Sequence, residues 1–275
     1  MSYHTLAYNA SAAAAGASNV DLSVVPDTEV SSRNSHGIFT ERYKMLAVSA
    51  VGVSITRGRF QVPKWNAVGE MSIINANRAL EPPSNPQWDL YLAYPPELPQ
   101  NEEFQVQLSN NLGAATEQEN VILQLAPDDW NQNIPKGELL FVQRATFTLT
   151  PTINVWSGGQ VLTFSQSLRG GVYAVVGGVV QGTDAVAWRI IFPRNKMYHG
   201  RRLRPGGLIQ NAIGVVINNQ IDPWVMGLGV LGYFHTFELP TIEVLGATAA
   251  AITYQVYLWL VRLGEDVSIL NQYTG

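Results

Sequence analysis

The feature that most constrains this chain is that its second half echoes its first. Gly58-Arg59 followed by Pro63 returns as Gly200-Arg201 followed by Pro205, 142 residues later. Asn66-Ala67-Val68-Gly69 leading to Ile73-Ile74-Asn75 returns as Asn211-Ala212-Ile213-Gly214 leading to Val216-Ile217-Asn218, at an offset of 145. Glu97-Leu98-Pro99 returns as Glu238-Leu239-Pro240 at 141, and Val121 to Leu125 returns as Val256 to Leu260 at 135. Short apolar words recur by chance in strand-rich proteins. Four in the same order, with an offset that drifts as loops change length, predict a duplication. Two copies of roughly 130 residues suit the usual domain size.

Each copy reads as strands. Phe104-Gln105-Val106-Gln107-Leu108 alternates apolar and polar residues, as a half-buried strand does. Phe147, Leu149, Ile153 and Val155 alternate with threonines and Asn154, which predicts one long strand with Pro151 marking an edge or bulge. Val172 to Val180 and Ala185 to Phe192 flank Gln181-Gly182-Thr183-Asp184, the pattern of a hairpin. No long stretch shows a 3.6-residue period, so the expected fold is all-β sandwiches. Residues 1–40, rich in Ala, Ser and Asn, read as an extended arm, mobile alone or ordered against a neighbour. Pro127 to Gly137 is polar and broken by Pro and Gly, so the expected division is a first sandwich at 41–127 that may take in part of the arm, a linker at 128–138, a second sandwich at 139–265 and a tail at 266–275.

Composition narrows the partners. Charged residues make up 14% of the chain, against about 25% in ordinary globular domains. So sparsely charged a surface predicts extensive cover by other subunits. A net charge of −4 argues against nucleic-acid binding, which needs a basic face. With no cysteine, disulfides, thiolate catalysis and cysteine-ligated zinc are excluded. Val244 to Val261 is uncharged for 18 residues, the threshold for a membrane helix, but its aromatic and β-branched content favours a buried strand.

No motif carries catalysis. Gly227-Leu228-Gly229-Val230-Leu231-Gly232 matches the dinucleotide fingerprint, which requires a following helix. The residues that follow, Tyr233 to Phe237, are strand-like, and a tight turn or bulge is the better reading. His4, His36, His199 and His235 are not at metal-ligand spacing, so no cofactor or metal is expected. The candidate contact residues are the basic group Arg194, Lys196, Arg201, Arg202 and Arg204, suited either to a solvated loop or to anionic headgroups or carboxylates, and Tyr257 with Trp259. Those two aromatics alternate with Leu258 and Leu260, so both strand faces are apolar and both should be covered, by the companion barrel or another chain. Trp65, Trp88, Trp130 and Trp224 fall in loops, where they would stack on sugars or be buried at contacts.

A tandem of two sandwich halves in a cysteine-free, charge-poor chain resembles the double jelly-roll major capsid proteins of tailless icosahedral viruses, particularly membrane-containing bacteriophages. The stretch from Gly232-Tyr233-Phe234 through Glu238-Leu239-Pro240, Glu243-Val244-Leu245 and Ala249-Ala250-Ala251 to Leu260 is similar to the closing strands of such a barrel. The resemblance covers about residues 40 to 265. It implies two tandem jelly rolls with an N-terminal arm, and a homotrimer whose six lobes give a pseudo-hexagonal tile. It further implies contacts with neighbouring capsomers, minor capsid or penton proteins and an internal lipid membrane, a place in the virion after assembly in the host cytoplasm, and no enzymatic role. The alternative is a jelly-roll binding module, a lectin or receptor-binding spike. A β-sandwich hydrolase comes third, with no residue to name for it.

Overall fold

The computed structural model describes residues 3–13, 16, 18–27, 31–33, 36–39, 41–52, 55–66, 71–73, 76–77, 88–91, 95–98, 100–110, 117–128, 137–138, 140–193, 197–198, 201–210, 230–247 and 249–270. Twelve of the described strands build a first lobe, and eight of them form its framework: β1 (His4–Ala13), β2 (Val20–Val24), β3 (Tyr43–Val51), β4 (Ile55–Gln61), β5 (Met71–Ile73), β6 (Glu97–Leu98), β7 (Glu103–Asn110) and β8 (Glu117–Pro127), the other four being the short strands Ser31–Arg33, His36–Ile38, Ala76–Asn77 and Asp89–Leu90. Eight more build a second: β9 (Leu140–Leu149), β10 (Gln160–Val161), β11 (Val172–Gln181), β12 (Ala185–Ile191), β13 (Gly206–Gln210), β14 (Gly232–His235), β15 (Thr241–Gly246) and β16 (Ile252–Gly264).

The pairing within the sheets is the same in both lobes, although the two sheets of the first also join through β1 and β2, and those of the second through β11 and β13 in parallel. The first has one sheet ordered β1-β8-β3-β6 and another ordered β2-β7-β4-β5, all antiparallel. The second has β9-β16-β11-β14 and β10-β15-β12-β13, also antiparallel. Each framework strand of the first lobe thus has its counterpart eight strands later, while its four short additional strands have none among the described residues. Two four-stranded sheets in this order form a jelly roll, and the chain is all-β with two of them in tandem.

Irregularities are duplicated as well. A bulge opens where Gln124 and Leu125 of β8 face Ala47 and Met45 of β3, skipping Leu46. The same bulge opens where Trp259 and Leu260 of β16 face Gly177 and Val175 of β11, skipping Val176. An extra residue in a strand is a positional marker, so Gln124 and Trp259 are equivalent positions. Of the four sequence echoes, only Val121–Leu125 with Val256–Leu260 falls on equivalent strands. Gly58-Arg59 lies in β4, whereas Arg201 lies in a short strand before β13, and Glu97-Leu98 is β6, whereas Glu238 follows β14. The second echo falls partly outside the described residues.

Three expectations are corrected. The segment read as an arm supplies β1, which lies between β8 and β2, and its Tyr3, Leu6 and Tyr8 are fully buried. Low-complexity composition concealed this because only alternate residues of β1 face the core. The long strand expected through Val155 ends at Leu149, and Ile153 and Val155 are 48% and 45% exposed. Val172 to Phe192 is not a hairpin, because β11 and β12 lie in opposite sheets and do not pair with each other. The chain crosses between sheets at Gly182, where a Cβ would strike the Tyr254 ring, and Asp184 takes a left-handed φ of 61°. Gly52 stands at the matching crossing of the first lobe. Val244 to Val261 is strand as expected, though split into β15 and β16. Of the expected linker 128–138, only Asp128, Gly137 and Glu138 are described.

Each sandwich has its own core. Tyr8, Phe39, Phe60 and Phe104 fill the first, with Tyr8 and Phe39 each edge-on to Phe104 at 5.8 Å. Tyr173, Trp188, Phe192, Phe234 and Tyr254 fill the second. Burial, with the Asp184 charge, pushes the Tyr254 phenol up from 10.0 to about 12, while its hydroxyl donates to the Thr183 carbonyl at 3.0 Å. A proton held more tightly in the folded state stabilises below pH 10, and that contribution is lost as pH rises through 12. Tyr254→Phe should therefore flatten the fall in stability between those values, measured as the urea midpoint against pH. An unchanged slope would remove Tyr254 from the alkaline transition.

Candidate functional site: the junction between the lobes

The outer face of a jelly-roll sheet ordinarily meets water. In the first lobe the face of β1, β8 and β3 turned away from the core carries Ala7, Ile122, Ala47 and Val51, all at 0% exposure. They pack against Val186, Ala187, Leu208, Leu245 and Trp156 of the second lobe, on the outer face of its β12, β13 and β15 sheet. Trp88, expected in an exposed loop, is buried in the same cluster. Alternation explains how one strand serves two cores. Val121, Leu123 and Leu125 of β8 point into the first lobe, and Ile122 and Gln124 point into the junction.

Polar groups on this face are paired across it. Thr5 donates from Oγ1 to Gln124 Oε1 at 2.9 Å, and Gln124 donates from Nε2 to the Gly206 carbonyl at 3.2 Å. That carbonyl also accepts from the Tyr3 hydroxyl at 3.1 Å. The Thr5 amide donates to the Arg204 carbonyl at 2.8 Å. The Arg204 amide donates to His4 Nδ1 at 3.2 Å, so the ring proton of neutral His4 sits on Nε2, which faces Asp27 Oδ2 at 3.5 Å.

Arg189, 2% exposed, centres the junction. Its Nε donates to Glu243 Oε2 at 2.6 Å across the β12–β15 pair, and its Nη1 donates to Asp27 of the first lobe. The guanidinium lies 4.1 Å from the Trp156 ring centroid. Arg204 adds a second cation 3.6 Å from Glu243. Arg189 and Arg204 thus face Asp27 and Glu243, two charges of each sign. The planar fork of arginine suits this geometry, since one edge reaches each lobe while the face stacks on the indole. Chemically the site is a clamp that fixes one lobe on the other. Among the described residues, no three His, Cys, Asp or Glu side chains gather where they could hold a metal ion.

Of the expected contact residues, Arg204 lies at the junction, where its side chain is 16% exposed and pairs with Glu243. Arg201 and Arg202 lie in a short strand paired with Met197–Tyr198. Their side chains, with Arg194 and Lys196, fall outside the described residues, as do Trp130, Trp224 and the Trp65 side chain. Gly227 to Gly229 also fall outside, while Gly232 begins a strand. Tyr257 and Trp259 lie on the outer face of β16, half-buried. The inner face of that strand is core, but the companion lobe covers its counterpart β8 instead. Among the described residues, 267–270 cover one end of the β16 outer face, where Leu270, Val267 and Ile269 share a cluster with Val172, Trp259, Val261 and Leu263.

No family model matches the chain, and no curated protein matches it. Among solved structures it is similar to the major capsid protein P2 from bacteriophage PM2, at 10% identity and a TM-score of 0.24, over 95% of this chain and 99% of that one. A likeness that loose carries no argument, and the duplicated jelly roll rests on its strand pairing.

The sequence reading missed Arg189, Glu243, Asp27 and Trp156. A signal was present for two of them. Arg189 interrupts Ala-Val-Ala-Trp-Arg-Ile-Ile and Glu243 interrupts Thr-Ile-Glu-Val-Leu-Gly. A charge inside an apolar strand is rarely buried without a partner.

Proposed function

We propose that this chain is a viral major capsid protein, working by assembly rather than catalysis. In this reading it associates as a homotrimer whose six lobes tile a tailless icosahedral shell in the virion, after assembly in the host cytoplasm. The observation that carries the reading is uneven cover. One lobe's outer sheet face is sealed by the other, while the equivalent face of the second lobe leaves Val142 48% exposed beside half-buried Tyr257 and Trp259. A charged content of 14% supports it, because interface cores are depleted in charge. Arg194, Lys196, Arg201 and Arg202 remain the candidates for contact with an internal membrane, and neighbouring capsomers and minor capsid or penton proteins are the other partners. Mass photometry of the purified chain tests this directly, and a mass of three chains is expected. A stable dilute monomer that never assembles would overturn the reading.

A further inference from the structure

At one end of the second lobe, the connection entering β11, the turn from β14 to β15 and the segment leaving β16 enclose a cavity of about 320 Å³. Phe237 forms part of its wall. The ring is 84% exposed, more than any other large apolar side chain among the described residues. A ring so exposed on a loose loop would need no explanation, but this one is held in place. The Phe237 amide donates to His235 Nδ1 at 3.1 Å, and the Glu238 amide closes the turn on the His235 carbonyl at 2.8 Å. The Thr236 amide donates to the Gly171 carbonyl at 3.1 Å, and the Gly171 amide donates to Thr236 Oγ1 at 3.2 Å. The Phe237 and His235 rings lie 4.3 Å apart, centroid to centroid.

The other walls carry polar atoms left open. Glu265 Oε1 accepts from Arg169 Nη2 at 2.9 Å and from Arg262 Nη2 at 3.0 Å, while Oε2 has no partner among the described residues. Hydrogen bonds from Arg169 and Arg262 hold the Glu265 carboxyl below the usual carboxylate range, so at neutral pH it only accepts. Arg169, 70% exposed, has Nε and Nη1 still to donate. His235 is 6% exposed, and because its Nδ1 accepts the Phe237 amide, the ring proton of the neutral form sits on Nε2, which has no partner among the described residues. Behind these groups Arg262, its side chain 5% exposed, fixes the wall by donating to the Gly170 carbonyl at 2.8 Å and to Glu138 at 2.8 Å.

A pyranose ring has an apolar C–H face, and its neighbouring hydroxyls each donate and accept. Phe237 suits the face, and the adjacent Arg169 donor and Glu265 acceptor suit a pair of hydroxyls, with His235 Nε2 as a further donor. A carboxylate or phosphate would meet the Glu265 charge and a cation would meet Arg169, so the pairing favours a neutral sugar. We infer that this cavity binds a neutral hexopyranose, stacked on Phe237 and hydrogen-bonded through adjacent hydroxyls to Arg169 and Glu265. The site lies within one lobe, so it goes beyond the capsid reading and does not depend on how many chains assemble.

Saturation-transfer NMR on the intact chain with the methyl α-pyranosides of glucose, mannose and galactose tests this, with titration calorimetry of any that bind. At least one glycoside is expected to bind and to receive saturation on its C–H face. Phe237→Ala, at an exposed position that leaves the core intact, should weaken that binding about tenfold. Glu265→Gln should weaken it as well, and Val161→Ala, at an exposed apolar residue on β10 away from the cavity, should leave it unchanged. The inference is overturned if none of the three glycosides binds the parent protein, or if binding is the same in Phe237→Ala and Glu265→Gln, which places the sugar elsewhere. Tighter binding of N-acetylneuraminate than of every neutral glycoside would make the cavity an anion site and also overturn it. So would a change of assembled mass on Phe237→Ala in mass photometry, since the ring would then be a contact between chains.

Discussion

Replacing Arg189 with methionine is expected to destabilise the fold by about 3–5 kcal/mol, because it strands two carboxylates that share one buried cation. Methionine keeps much of the side-chain volume, so the loss reports charge rather than a cavity. Asp27 is affected most, since its side chain is 0% exposed. Glu243, at 11%, keeps Arg204 nearby. If the junction works as described, adding Asp27→Asn to Arg189→Met should recover part of the loss, since the stranded charge is then gone. Urea unfolding of the two variants measures both effects. A single variant within about 0.5 kcal/mol of the parent, or a double variant no better than the single, would show that the cluster does not hold the lobes.

Trp188→Ala is expected to cost a similar amount, roughly 3–5 kcal/mol, by leaving a cavity in the second lobe. The indole is 1% exposed and occupies space that two glycines leave open. A Cβ at Gly178 would lie 3.0 Å from Trp188 Cη2, and one at Gly207 would lie 3.3 Å from its Nε1. The ring is thus wedged between β11 and β13, the two strands through which the sheets of the sandwich join at Val180–Ile209 and Gln181–Gln210. Gly178→Ala should cost less, about 1–3 kcal/mol, through overpacking against the ring and Leu258. Near-ultraviolet circular dichroism during unfolding should show the second lobe loosening first in both variants. Equal stability of Trp188→Ala and the parent would contradict the packing described.

What could be seen in the sequence follows from the length scale of each signal. Alternation within β7 and the apolar run of β16 lie inside single strands, and both were legible. The duplication was legible as well, although mostly from echoes that do not align. Residues such as Arg59 and Arg201 matched in type while lying on different elements. The marks that do align, the bulges beside Gln124 and Trp259 and the crossings at Gly52 and Gly182, are backbone features with almost no sequence signature. Strand partners were not legible, because the pairing of β11 with β16 and of β12 with β15 joins residues between 50 (Ile191 and Thr241) and 92 (Val172 and Gly264) positions apart, and local pattern carries no record of that. The junction was hidden for the same reason. Asp27 and Arg189 meet only after both lobes have formed, and β1 looked like a loose arm because its outward residues, Thr5 and Ala7, are small or polar.

The assembly claim is tested most directly by electron microscopy of the purified chain, with averaging of single particles. Particles of three chains with six similar lobes around a central axis are the predicted result. Isolated two-lobed particles at every concentration examined, or a ring whose lobe number is not twice its chain number, would contradict it.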